Sequence, residues 1–90
     1  MNVIINVIGP EITLKREIAL DRGSQTFKDV LGSLLDQKKG PWKRIVKKDL
    51  SLTEGYVVLV NGRNIMSLEG LETKIHEGDE ITFTVIVAGG

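Results

Sequence analysis

Glu77-Gly78-Asp79-Glu80-Ile81-Thr82-Phe83-Thr84-Val85-Ile86-Val87-Ala88-Gly89-Gly90 closes the chain. Its first three residues are a turn signal, and Glu80 to Val87 reads as a strand. Ile81, Phe83, Val85 and Val87 alternate with Thr82, Thr84 and Ile86, so one face is wholly apolar and needs cover. Val87-Ala88-Gly89-Gly90 follows as a short, small-sided, flexible tail, with the carboxylate of Gly90 as its expected free end. A glycine pair without Cβ atoms can thread a narrow tunnel and let another backbone come close. Loose ends rich in small residues are common, so the pair by itself carries little weight.

The segments before this strand supply the context. Tyr56 to Val60 is an apolar strand, and Asn61-Gly62 is the strongest hairpin signal in the chain. Arg63 to Met66 is expected to return as a short edge strand, while Leu71 to Ile75 is brief and ambiguous. At the other end, Met1, Val3, Ile5 and Val7 share one face of a strand over 1–8. Gly9-Pro10 turns the chain into a second, antiparallel strand over 11–20. There Ile12, Leu14, Ile18 and Leu20 alternate with polar residues, and Arg16 interrupts the apolar side, which suggests a bend.

Thr26 followed by Asp29 reads as a helix N-cap with a capping box. Phe27, Val30, Leu31, Leu34 and Leu35 then recur at helical spacing, and the helix is expected to end near Lys38 or Lys39, before Gly40-Pro41. Between Gln37 and Asp49 the cations Lys38, Lys39, Lys43, Arg44, Lys47 and Lys48 stand without an acid. They form either a docking patch for an acidic surface or the solvated side of a segment anchored by Trp42, Ile45, Val46 and Leu50.

A hairpin, one amphipathic helix and later strands define an α+β fold in which a mixed sheet packs on one main helix. The first and last strands are the most apolar, so they belong together at the centre of the sheet. This arrangement is the ubiquitin-like β-grasp, expected as a single domain over 1–90. The helix covers one face. Ile4 and Ile86 point to the other, with Leu59 or Val58 between them, and that face is either a protein-binding patch or covered by residues 42–55.

Twelve basic and twelve acidic residues cancel, which argues against a general nucleic-acid binder or anionic-membrane binder. No cysteine is present, so disulfides, thiolate metal sites and a cysteine nucleophile are excluded. The single histidine, His76, stands beside a turn and reads as a solvated residue; no metal site is expected. Asp79 and Glu80 are adjacent and point to opposite sides of a strand, so they make a poor acid–base pair. The chain reads as cytoplasmic, with no signal peptide and no membrane span.

Val58-Leu59-Val60-Asn61-Gly62-Arg63, then Thr73-Lys74-Ile75 leading into Glu77-Gly78-Asp79-Glu80-Ile81, and finally Val87-Ala88-Gly89-Gly90, resemble the MoaD/ThiS family of sulfur carriers. The resemblance spans nearly the whole chain and is nearest to the small subunit of molybdopterin synthase. Many family members carry prolines just before the tail, whereas Thr84-Val85-Ile86 continues here as strand.

The resemblance implies a carrier rather than a catalyst. An adenylating enzyme of the ubiquitin-activating type (MoeB/ThiF-like) would use ATP and Mg²⁺ to activate the Gly90 carboxylate. A sulfur donor would then convert it to a thiocarboxylate. Val87, Ala88 and Gly89 would run through a channel of the partner, such as a MoaE-like large subunit of molybdopterin synthase. No cofactor would be bound tightly by the chain itself. Arg63 and Lys74, at turns on the periphery of the sheet, are candidates to meet acidic groups of the activating enzyme, and Ile4, Leu59 and Ile86 are candidates for apolar contact. The same activated tail would also serve a protein modifier that joins lysines, or a carrier for tRNA thiolation or thiamine synthesis. A β-grasp interaction module without tail chemistry is a third possibility.

Overall fold

The computed structural model describes residues 1–37 and 39–86. Strand β1 (Asn2–Ile8) pairs antiparallel with β2 (Thr13–Ala19) from Asn2↔Ala19 to Ile8↔Thr13. The ladder runs without interruption through Ile5↔Arg16, so the expected bend at Arg16 is absent. An exposed arginine is tolerated there because β2 is an edge strand, where a long charged side chain reaches solvent.

Helix α1 (Phe27–Leu35) begins at a complete capping box: the Asp29 N–H donates to Thr26 Oγ1, and Asp29 Oδ2 accepts from the Thr26 N–H. Phe27, Val30, Leu31 and Leu34 are buried, as their spacing requires. The helix stops short of Lys38 or Lys39, with Asp36 as C-cap; Lys38 itself lies outside the described residues. The last turn tightens, the Gln37 N–H donating to the Leu34 carbonyl at 3.2 Å. The chain then reaches Gly40, at φ +110°, and packs Trp42 inward.

A short second helix, α2 (Trp42–Ile45), buries Trp42 and Ile45 while Lys43 and Arg44 stay exposed. Trp42 meets Phe83 with ring centroids 5.7 Å apart, and Phe27 meets the same ring at 6.1 Å. Helix α2 and its flanks therefore cover the same sheet face as α1. Residues 42–55 do not cap the opposite face.

Strand β3 (Tyr56–Val60) turns through Asn61 and Gly62, at φ 51° and 85°, into β4 (Arg63–Asn64). Two successive positive φ values make the tight hairpin turn that Asn-Gly favours. The expected strand over 63–66 is only two residues long. Asn64 Oδ1 accepts from the Met66 N–H at 2.9 Å and starts a 3₁₀ turn, Ile65–Ser67. The ambiguous 71–75 stretch resolves into a second 3₁₀ turn, Gly70–Glu72, followed by an isolated bridge between Lys74 and Thr26.

The last strand, β5 (Glu80–Val85), lies parallel to β1 and antiparallel to β3. The sheet order is β2-β1-β5-β3-β4, with the two most apolar strands adjacent and internal. Val3, Ile5 and Val7 of β1 and Ile81 and Phe83 of β5 are wholly buried under the helices. Strand β5 was expected to reach Val87; it ends at Val85, and Val87 lies outside the described residues.

Candidate functional site

Strand β5 carries the chain toward its diglycine. Thr84 stands between Ile8 of β1 and Val57 of β3, and Val85 pairs with Tyr56. The Thr84 hydroxyl donates to the Ile8 carbonyl at 3.1 Å, and the Ile86 N–H donates to the Gly55 carbonyl at 3.0 Å. The polypeptide thus leaves the sheet where β1 ends and β3 begins, held by backbone bonds up to Ile86. Val87, Ala88, Gly89 and Gly90 lie outside the described residues.

The exit is apolar. Ile8 is 53% exposed and Ile86 61% exposed, on the sheet face that bears no helix. Val57 shares that face one strand over. Two exposed isoleucines near a departing tail are a surface that water covers poorly. Ile8 was legible in the same alternation as Ile4, but its closeness to Ile86 depends on the parallel register of β1 and β5.

Ile4, Leu59 and Ile86 do share the open face, yet polar residues divide them. Ile4 stands between Glu17 and Glu80, and Leu59 between Thr82 and Asn64. Asn6 donates to Thr82 Oγ1 at 3.1 Å, and Lys15 lies 3.6 Å from the Glu80 carboxylate. Hydrogen bonding from the Asn6 side chain, then the Lys15 charge, holds the Glu80 carboxyl below its usual range. The middle of the face is therefore a polar network with apolar residues at its margins.

Arg63 pairs with Val60, which stands opposite Ile81 near the start of β5, so it lies toward the other end of the sheet from the tail exit. Lys74 is exposed in its bridge to Thr26. Neither forms an ion pair among the described residues. His76 is exposed, with Nδ1 3.7 Å from Asp79 Oδ2. Asp79 also accepts from the His76 N–H and from Asn61 Nδ2, fastening the turn into β5 to the hairpin turn after β3. Among the described residues no three His, Asp or Glu side chains gather to hold a metal ion.

A mixed sheet grasping one main helix, with its central strand running out into the C-terminal diglycine segment, defines a ubiquitin-like β-grasp protein. The fold matches that of SAMP1 from Haloferax volcanii, with a TM-score of 0.71, 23% identity and full coverage of both chains. The chain belongs to the ThiS family, whose model matches residues 5–90. A protein of Archaeoglobus fulgidus provisionally named a sulfur carrier protein is 36% identical over 75 residues, covering 82% of this chain and 84% of that one. The small archaeal modifier protein 1 of Methanosarcina acetivorans is 30% identical with a TM-score of 0.69, covering 99% of this chain and 96% of its own. The chain is accordingly of the sulfur-carrier and small-modifier class. No helix among the described residues is long and apolar enough to cross a membrane.

Proposed function

We infer that the chain carries sulfur on a C-terminal thiocarboxylate and supplies it to molybdopterin synthesis in the cytoplasm. The observation that carries this reading is the family match, which runs through the diglycine to Gly90. A carboxylate is a poor electrophile, so activation must come first. An oxygen of the Gly90 carboxylate attacks the α-phosphorus of ATP on an adenylating enzyme of MoeB/ThiF type, and pyrophosphate leaves. A persulfide sulfur then attacks the acyl carbon and AMP leaves. Cleavage of the remaining S–S bond by a thiol frees the thiocarboxylate.

The chain's own residues present the tail and exclude competing geometry. The bond from Ile86 to Gly55 fixes where the tail departs. Gly89 and Gly90 carry no Cβ, so an enzyme channel can close tightly about them and orient the acyl carbon. Val87 and Ala88 are narrow enough to follow and to be held by strand-like backbone contacts. ATP and Mg²⁺ belong to the activating enzyme; the carrier itself holds no cofactor tightly. The acceptor in this reading is a MoaE-like large subunit of molybdopterin synthase, whose channel receives the thiocarboxylate.

The likeness to the Methanosarcina acetivorans modifier supports a second reading, in which the acyl group passes to a lysine of another protein. Reconstitution separates the two. The thiocarboxylated chain, mixed with a molybdopterin synthase large subunit and the pterin precursor, is expected to yield the dithiolene product. Failure to form it, together with isopeptide-linked chain on other proteins, would replace sulfur donation by protein modification.

A further inference from the structure

Six of the chain's twelve basic residues fall within 38–48, a stretch that holds no acid. The whole chain is neutral, so this excess is a segregation of charge rather than a general basic bias. Trp42, Ile45 and Val46 are buried, which sends the residues between and after them outward. Lys39, Lys43, Arg44, Lys47 and Lys48 are all exposed. Among the described residues none of these five forms an ion pair. Asp49, the first acid after them, is engaged by the N–H and hydroxyl of Ser51, at 3.0 and 2.6 Å.

The segment is braced from within. The Thr53 N–H donates to the Ile45 carbonyl at 2.8 Å, and the Thr53 hydroxyl donates to the Arg44 carbonyl. Val46 bridges to Leu52, and the Lys47 N–H donates to the Ser51 carbonyl at 2.8 Å. Cations on a fixed backbone lose less freedom on docking than cations on a loose loop.

Topology places the segment at the end of the sheet from which the tail departs. Helix α1 starts at the opposite end, where the Ile75 N–H donates to the Gln25 carbonyl and the Gly78 N–H to the Asn2 carbonyl. It runs back toward the end where Ile8 closes β1, and α2 follows it. Thr53, bonded to α2, is followed by Glu54 and then Gly55, whose carbonyl accepts from the Ile86 N–H. The cations of α2 thus border the tail exit, with its exposed Ile8 and Ile86.

We propose that Lys43, Arg44 and Lys47 dock on an acidic surface of the adenylating enzyme, beside the channel that receives the tail. This rests on the reading that the tail is activated; sulfur donation and lysine modification share that step, so the surface serves either. The charges steer the approach and fix its orientation, while the apolar exit and the diglycine make the close contact. Nucleic acid fits the patch less well. Trp42 is the only aromatic residue in 38–55 and is 1% exposed, so no ring is offered for a base to stack on.

The test is ATP–pyrophosphate exchange on the cognate adenylating enzyme, with the full chain varied as substrate. Exchange reads the reversible formation of the Gly90 acyl-adenylate with release of pyrophosphate, and needs no sulfur donor. Lys43→Glu combined with Arg44→Glu should raise KM for the chain at least about tenfold, because like charges then face each other. Its kcat should stay near that of the parent. Added salt should raise the parent's KM and narrow the gap to the variant. The variant's thermal midpoint should stay near that of the parent, since both side chains are exposed and unpaired. Lys43→Arg keeps the charge and should keep KM. Arg16→Glu combined with Arg22→Glu makes the same change of net charge away from the patch and should leave KM unchanged. An unaltered KM in the first variant, an equal rise in the Arg16 and Arg22 variant, or a loss confined to kcat would each overturn the proposal while leaving activation of the tail intact. A labelled RNA oligonucleotide that binds the parent but not the first variant, with KM unaltered, would assign the patch to nucleic acid instead. No exchange by the parent, with an enzyme active on another carrier, would overturn the activation reading and the proposal together.

Discussion

Gly40 and Gly62 both hold positive φ, but they face different surroundings. At Gly62, φ 85°, nothing stands within 4 Å of where a Cβ would be. At Gly40, φ +110°, a Cβ would lie 2.9 Å from Trp42 Nε1, on a buried ring that packs against Phe83. Alanine at Gly62 pays only for backbone strain, whereas alanine at Gly40 must also displace the tryptophan. Gly40→Ala is therefore expected to lower unfolding stability by about 1–3 kcal/mol and by more than Gly62→Ala. Urea denaturation of the two variants measures the difference; equal losses would show that the ring yields freely. The sequence marks Gly40 as a helix stop, and part of its role is legible there. Its second role, as the seat of Trp42, depends on a contact made only after the chain has turned.

At the scale of elements, the capping box was legible because its partners lie three residues apart. The Asp29 carboxylate accepts from the Gln25 N–H at 2.8 Å and the Thr26 N–H at 3.0 Å, bonds that hold its pKa below the usual carboxylate value. The folded group gives up its proton more readily than the unfolded one. Its contribution is thus present above the unfolded pKa and fades as pH falls through the folded one. Asp29→Asn should lose stability at neutral pH, and the gap to the parent should narrow on acidification below about pH 4. Chemical denaturation across that range checks the sign; a gap that widens in acid would contradict it. Thr26→Ala removes the other half of the box and should cost about 1 kcal/mol. The far end of the same helix was less legible. Lysines favour helix well enough to extend the pattern, but burial of Trp42 bends the chain away at Asp36. Strand β4 was overestimated for a similar reason: the Asn64 cap, a local side-chain bond, competes with the ladder.

For the whole molecule, alternation in the first and last strands was enough to place both at the centre of a mixed sheet. It could not say which face residues 42–55 would cover, because Trp42, Ile45 and Val46 fit either side by composition alone. The structure buries all three and sets Trp42 on Phe83, which joins β5 to both helices. Phe83→Ala should cost about 3–5 kcal/mol, a large share of the roughly 5–15 kcal/mol available to a domain of this kind. Thermal melting would show it, and a loss below 1 kcal/mol would mean that the three rings do not pack as one unit. The family was legible through the diglycine and the turn-strand pattern before it, and its model matches residues 5–90. The surroundings of the tail exit were not, since the placement of Ile8 beside Thr84, two residues before Ile86, arises from the register of β1 and β5.

Sulfur loading at Gly90 is tested most directly by intact-protein mass spectrometry after incubation with a cognate adenylating enzyme, MgATP and a sulfur donor. The full chain should exchange one C-terminal oxygen for sulfur, and the same chain lacking Gly89 and Gly90 should remain unchanged. An unmodified full chain, with an enzyme shown to be active on another carrier, would contradict sulfur carriage.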